Sequence, residues 1–149
     1  MNQTARGKPS WLKAIGIGIA VSVLTAIVAV TLLKTGVSPF PKPPSLAFAE
    51  TLLGQRLPMP VGLLFHTAYV TFWSVVFVRY FPRKTALTAL ALAAVLWIGV
   101  LAVFFPVVGW GFAGLAISPK LIVASILPHL LFALFLWGLD RYFAKPSRA

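Results

Sequence analysis

The sequence predicts an all-α polytopic membrane protein with four transmembrane helices, built from a duplicated two-helix hairpin. Of the 149 residues, 60% are hydrophobic and only 10% are charged, whereas a soluble domain has about a quarter of its residues charged. The apolar residues form runs of about 20, long enough to cross a bilayer, and the basic residues lie in the short segments between them. Together these two observations predict one membrane domain covering residues 1–149.

The predicted spans cover about residues 11–33, 60–81, 85–105 and 119–143. Lys34 and Gly36 supply a cation and a glycine that end the first helix. Pro60 is well placed as the first helical residue of the second span, and Ser118-Pro119 is a typical start for the fourth, a cap followed by a first-turn proline.

Two connecting segments have structure-forming patterns of their own. Residues 45–54 predict a short helix along the membrane surface, capped by Ser45 and closed by Gly54, with an ordinary loop as the alternative. Residues 106–118 are apolar but rich in glycine, which predicts either a broken helix end or a re-entrant or interfacial loop. Trp110, within that loop, is expected to anchor it at the membrane interface.

The net charge of +11 is unevenly placed along the chain. In another context it would indicate nucleic-acid binding, but here the cations flank apolar runs, so we expect membrane lipid and no nucleic acid as partner. Nine of the 13 basic residues fall on the side of the termini, including four expected to orient and anchor the spans: Arg79, Arg83, Lys84 and Arg141. The positive-inside bias predicts that both termini are cytoplasmic.

The two halves of the chain share an ordered set of features. His66 and His129 each have a phenylalanine six residues later, and each of these spans ends in Arg-Tyr-Phe, at 79–81 and 141–143. Small residues also recur every four positions on the first and third spans: Ala14, Gly18, Ser22 and Ala26, and then Thr85, Ala89 and Ala93. Such stripes let membrane helices approach closely. We interpret the pattern as two parallel copies of a hairpin, about residues 11–84 and 85–145.

His66 and His129 are the ionisable side chains well inside the predicted spans, which makes them the candidate site. Three interpretations remain open. Each imidazole could hydrogen-bond within the bundle, the pair could be axial ligands of one b-type haem, or they could line a site for a quinone or lipid. We expect Asp140 to form a local ion pair beside Arg141, and Glu50 to be solvated.

The sequence lacks the residues that several functional classes require. The chain has no cysteine, which excludes disulfides and thiol chemistry, and its sequence has no nucleophile–base pair, metal-ligand cluster or nucleotide-binding loop. A proton-coupled transporter normally keeps a carboxylate in mid-membrane, and Glu50 and Asp140 both lie outside it. We therefore expect no enzymatic activity and no resident cofactor.

Three short segments resemble those of the YagU-like four-helix bacterial inner-membrane proteins. They are residues 62–66 (Gly-Leu-Leu-Phe-His), residues 106–112 (Pro-Val-Val-Gly-Trp-Gly-Phe) and residues 129–132 (His-Leu-Leu-Phe). The chain departs from that pattern in lacking glycines in the turns after each histidine. The resemblance implies an inner-membrane location and no defined activity.

The resulting hypothesis is a non-enzymatic accessory or assembly component that packs with itself or with a larger membrane complex. The alternative is a binder of a hydrophobic ligand or cofactor, whether quinone, lipid or b-type haem, at His66 and His129.

Overall fold

In a computed structural model, residues 9–144 can be described, and their regular elements are all helical. The helices are α1 (Trp11–Lys34), α2 (Pro44–Leu53), α3 (Met59–Tyr80), α4 (Ala86–Gly99), α5 (Phe105–Val107) and α6 (Lys120–Ala144). A π-helical turn, Val100–Phe104, joins α4 to α5, and a 3₁₀ turn, Phe112–Gly114, precedes α6. Four stretches are long and apolar enough to cross a membrane: Trp11–Lys34, Met59–Tyr80, Ala86–Val107 and Lys120–Phe143. The predicted four-span helical fold is confirmed.

The third span continues past the predicted end at residue 105 because of its π-helical turn. Pro106 lacks an N–H, and in a regular α-helix its ring would crowd the carbonyl of Ala102. The wider turn just before the proline is closed by the Phe105 N–H, which donates to the carbonyl of Val100. The helix therefore accommodates Pro106 and ends only at Val107.

The four spans pack in the order α3, α1, α6, α4. α1 contacts α3 on one side and α6 on the other, and α4 packs against α6. Lys13 Nζ donates to the carbonyl of Phe143 at 2.5 Å, so the start of α1 and the end of α6 lie at the same end of the bundle. The buried core follows these contacts and contains Ala14, Ile17, Val21, Val70, Phe77, Val78, Ala89, Leu92, Ala93, Leu96, Phe132, Ala133 and Leu136.

Small residues bring α1 and α3 into backbone contact. A Cβ placed on Gly18 would lie 2.8 Å from the Cα of Thr71, so the two helix backbones touch there. Ala14 and Ser22, one turn to either side, are fully buried. This is the close approach that a small-residue stripe predicts. The two helices gain van der Waals contact from it, which matters because the hydrophobic effect does not drive helix association inside a bilayer.

The duplicated hairpin stays a prediction. Each proposed copy does pair its own two spans, α1 with α3 and α4 with α6. A twofold axis relating the two copies would make α1 equivalent to α4 and α3 equivalent to α6, so the α1–α6 contact would have an equivalent α3–α4 contact. Among residues 9–144, however, α3 and α4 are not extensively packed. The helix pairing is thus compatible with duplication, while the assembly of the pairs is asymmetric.

A second cluster, which we call the cap, covers the end of the bundle opposite the termini of the described chain. Its buried residues, Ala47, Phe105, Trp110 and Leu121, come from α2, α5, the following turn and α6. Phe40 stacks on Trp110 with ring centroids 6.0 Å apart, and Phe48 of α2 stacks on Phe104 at 5.1 Å. The two predicted connecting segments therefore form one structure.

The cap corrects two sequence expectations. Ser45 does not cap α2: the N-cap is Pro43 and Pro44 is the first helical residue, a position where the missing N–H is not needed. Trp110 is not an exposed interfacial anchor, since only 6% of it is exposed and its indole packs against the rings of Phe40 and Phe105. Gly54 does end α2, as predicted, and it adopts a left-handed conformation.

The α1–α3 contact can be tested with two glycines of the same helix. Gly18→Ala places a methyl group against the Thr71 backbone and should destabilise the bundle by about 1–3 kcal/mol, the usual cost of overpacking. Gly16→Ala meets no atom within 4 Å and should leave stability unchanged or slightly raised. Thermal or SDS-induced unfolding in mild detergent measures both. Equal stabilities of the two variants would contradict the packing described.

Candidate functional site

His66 lies at the interface of α3 with α1. Its Nε2 is 3.2 Å from the carbonyl oxygen of Ser22 and 3.1 Å from Oγ1 of Thr25. A carbonyl can only accept, so Nε2 carries the proton and donates. The hydroxyl of Thr25 is free to donate to the carbonyl of Val21, 2.9 Å away. His66 therefore uses its N–H to tie two spans together.

Ser22 extends this cluster toward the next turn of α3. Its hydroxyl donates to the carbonyl of Ile19 at 2.8 Å and lies 3.5 Å from the hydroxyl of Thr67. Ser22 and Thr25 are both buried. The polar atoms of Ser22, Thr25 and His66 are thus paired inside an apolar bundle, where an unpaired group is costly. The buried hydroxyl of Thr71 at the same interface, by contrast, has no hydrogen-bond partner among the described residues.

His129 is held within its own helix. Nδ1 lies 2.7 Å from the carbonyl of Ser125, one turn earlier, and must donate to it. The Ser125 hydroxyl accepts from Nε1 of Trp97 on α4 at 2.9 Å. His129 thus belongs to the α4–α6 side of the bundle, and its proton is on the opposite ring nitrogen from that of His66.

The structure does not pair the two imidazoles on one ligand. His66 is engaged with α1, while the hydrogen bonds around His129 involve α6 and α4. Ligation of a haem iron through Nε2 of His66 would break both of its contacts with α1. A bis-imidazole haem site therefore does not fit this arrangement. Among residues 9–144, moreover, no three histidine, aspartate or glutamate side chains come together as a metal site.

The four predicted anchoring residues have distinct surroundings. The Arg79 guanidinium lies 4.1 Å from the ring centroid of Trp11 and donates to the carbonyl of Pro9, which ties the end of α3 to the start of α1. Arg141 lies over Trp137 at 5.6 Å. Arg83 is exposed, and its carbonyl accepts from Thr88. Lys84 is half-buried.

Asp140 does not form the expected local ion pair with Arg141. It is only 6% exposed, and the cations that act on it are Lys84 and Lys13, which come from other parts of the chain. Arg141 instead faces Trp137. Among residues 9–144 no cation lies within ion-pair distance of this carboxylate, so Lys84 and Lys13 act on it only at longer range, and local sequence spacing did not predict its burial.

The cap carries an open cleft of about 390 Å³ between α2 and the turn at Trp110. Glu50 accepts from Lys42 Nζ at 2.5 Å and from the backbone N–H of Leu57 at 3.2 Å. These two hydrogen bonds, the one from Lys42 first, lower the pKa of the Glu50 carboxyl below its ordinary value. Glu50 was expected to be simply solvated, but it organises the loop between α2 and α3.

Sequence reasoning missed three polar residues of these clusters. Thr25 lies three positions after Ser22, on the same face as the small-residue stripe, and that spacing could have identified it. Trp97 and Lys42 gave no comparable signal, because their contacts with Ser125 and Glu50 depend on how distant segments meet.

Comparisons of the chain with protein-family models, with curated proteins and with solved structures found no match. The resemblance to YagU-like proteins therefore stays a prediction carried by the three short segments alone.

A double-mutant cycle tests the bond from His66 to α1. His66→Ala and Thr25→Val should each destabilise the bundle, and their effects should be coupled by about 0.6 kcal/mol, up to ~1.7, as for other interhelical hydrogen bonds in membranes. Thr31→Val, an exposed threonine of the same helix, should show no coupling to His66→Ala. Unfolding in detergent provides the energies, and additive effects of His66→Ala and Thr25→Val would contradict the interaction.

The haem interpretation has a spectroscopic test. Because Nε2 of His66 is engaged with α1, we expect the purified protein to show no Soret band, with or without dithionite. A Soret band abolished by both His66→Ala and His129→Ala would overturn this conclusion.

Proposed function

We propose that this protein is a non-enzymatic accessory or assembly component of the bacterial inner membrane, which works by packing an exposed face of α3 against itself or against another membrane protein. One observation carries the proposal: a tyrosine exposed at the middle of a transmembrane helix.

Tyr69 lies ten residues after Met59 and eleven before Tyr80, the two ends of α3. At a rise of 1.5 Å per residue, it is roughly 15 Å from either end, near the bilayer centre. Its side chain is 43% exposed on the surface of the bundle. Tyrosine normally lies at the membrane–water interface, where its hydroxyl reaches water. Trp73 hydrogen-bonds the Tyr69 hydroxyl within the helix, but a tyrosine side chain facing acyl chains at mid-depth is still far from its usual interfacial position, and a neighbouring protein surface would account for it.

The surroundings of Tyr69 support an interface. Leu64, Ala68, Tyr69 and Phe72 form an exposed strip, which we call the α3 outer face. Trp73 contacts the rings of both Tyr69 and Phe72 edge-on, at 6.4 and 5.1 Å, and so holds them in place. Ala68 gives the strip a small residue at its centre, as helix–helix interfaces in membranes favour. Pre-ordered aromatic side chains lose little conformational entropy on binding.

The position of α3 in the bundle leaves this face open. α3 is at the end of the row of spans and packs on α1 and α2, with few contacts to α6. A role in holding helices together accounts for His66, which donates to α1. The Nδ1 proton of His129 is engaged within α6. This supports an assembly role over the alternative of a hydrophobic-ligand site at the two histidines.

The proposed orientation has both termini in the cytoplasm. Lys13, Arg79, Arg83, Lys84 and Arg141 lie at the end of the bundle where the described chain begins and ends. The capped end has four basic residues, Lys34, Lys42, Arg56 and Lys120. Under the positive-inside rule, the first end is cytoplasmic and the cap faces the periplasm.

Single cysteines test the α3 outer face cleanly, because the chain has none of its own. Ala68→Cys should form a disulfide-linked dimer on mild oxidation in native membranes if copies pack through this face. Ala94→Cys, on an exposed position near the middle of the span that contains α4, is the matched control and should stay monomeric. Non-reducing gel electrophoresis reads out both.

A partner of different sequence needs a second measurement. A photo-cross-linking amino acid at Phe72 should then capture a defined protein in intact cells, and the same group at Leu90 of α4 should not. Disulfide dimers from both cysteine variants would indicate random collision. That result, or the absence of any protein adduct at residues 68 and 72, would overturn the proposal.

A further inference from the structure

The cleft in the cap combines a polar lining with an apolar border. It is lined by Lys42, Glu50, Thr51, Gln55 and Arg56 on the side of α2, and by the buried indole of Trp110 on the other. Its volume of about 390 Å³ is within the usual range for small-molecule sites, roughly 300–1,000 Å³. The cleft is independent of the α3 outer face.

The charges of the cleft favour an anion. Glu50 is already satisfied, because one carboxylate oxygen accepts from Lys42 and the other from the N–H of Leu57. Lys42 forms an ion pair with that carboxylate, and Arg56 also acts on it electrostatically. The two cations leave the cleft with one positive charge in excess, and the exposed guanidinium of Arg56 forms no ion pair of its own among residues 9–144. Gln55, also exposed, adds neutral hydrogen-bond donors beside it, whereas the Thr51 hydroxyl donates to the carbonyl of Ala47. A planar guanidinium with further donors close by is the arrangement that binds phosphate oxygens well.

The border of the cleft indicates where the anion comes from. Leu52 and Leu53, the last two residues of α2, are 63% and 52% exposed and adjoin Thr51 and Gly54 of the lining. α3 begins at Met59, three residues after Arg56, so the cleft is at the level where a span enters the membrane. Exposed leucines at that level match acyl chains next to a headgroup.

We propose that the cap cleft is a binding site for the phosphodiester headgroup of an anionic phospholipid, with Arg56 as the main phosphate contact and Leu52 and Leu53 against the acyl chains. Lys42 and Glu50 form a neutral pair that shapes the site.

Native mass spectrometry in detergent tests the site with phosphatidylglycerol as the probe. The wild-type chain should bind one phosphatidylglycerol more tightly than phosphatidylcholine, and Arg56→Gln should weaken that binding about fivefold, as expected for one basic residue near a lipid surface. Lys120→Gln, which removes a cation from the same end of the bundle but outside the cleft, is the matched control and should bind like wild type.

A second variant, for which tighter lipid binding is expected, excludes misfolding as the explanation of weaker binding in Arg56→Gln. Glu50→Gln releases Lys42 to contact the phosphate, so phosphatidylglycerol should bind about fivefold more tightly, by the same estimate for one cation. Loss of binding in Glu50→Gln would overturn the assigned charges. Equal weakening by Arg56→Gln and Lys120→Gln would mean that the lipid responds only to the general positive field, and would overturn the site.

Inorganic phosphate separates a lipid from a soluble ligand. Millimolar phosphate should leave the phosphatidylglycerol adduct in place, because it lacks the acyl chains that contact Leu52 and Leu53. Displacement of the lipid by phosphate alone would show that the cleft takes a free anion, and the proposed lipid would be wrong.

Discussion

The contact between α1 and α3 is the interaction on which the rest of the bundle depends. Gly18 lets the two backbones touch at Thr71, and this closeness brings the carbonyl of Ser22 within reach of the His66 ring. The same pairing puts Trp11 under the Arg79 guanidinium at the end of the two helices. In a bilayer, helices gain little from burying apolar surface, so close packing and interhelical hydrogen bonds must supply the association energy. Gly18 provides the first and His66 the second.

The spans were predictable because their signals are local. A run of about 20 apolar residues bounded by cations or prolines defines a membrane helix with little regard to its neighbours, and the helix ends at Lys34 and Tyr80 followed from nearby residues. The small-residue stripe on α1 also predicted its contact face, since period and residue size together indicate which side approaches another helix. The predicted and observed spans differ mainly where Pro106 forces a π-helical turn before Val107.

The surroundings of the candidate residues were less predictable, because they depend on which helices become neighbours. Matching positions of His66 and His129 in the chain favoured a common site, but α1 separates α3 from much of α6, and each imidazole finds its own acceptor. Trp110 was expected at the interface from its residue type, yet Phe40 covers it, and that contact joins segments 70 residues apart. Asp140 likewise does not pair with its sequence neighbour Arg141. Pairwise contacts across the fold are the part that a single sequence does not determine.

The cap has a consequence for how small molecules could reach the interior. Phe48 stacks on Phe104 and meets the ring of Phe65, the residue before His66. A solute approaching along the bundle axis from the capped end therefore meets aromatic rings before it meets the imidazole. A lateral approach through the acyl chains avoids these rings. For a compound that takes this route, the partition coefficient into hydrocarbon sets the concentration that reaches His66.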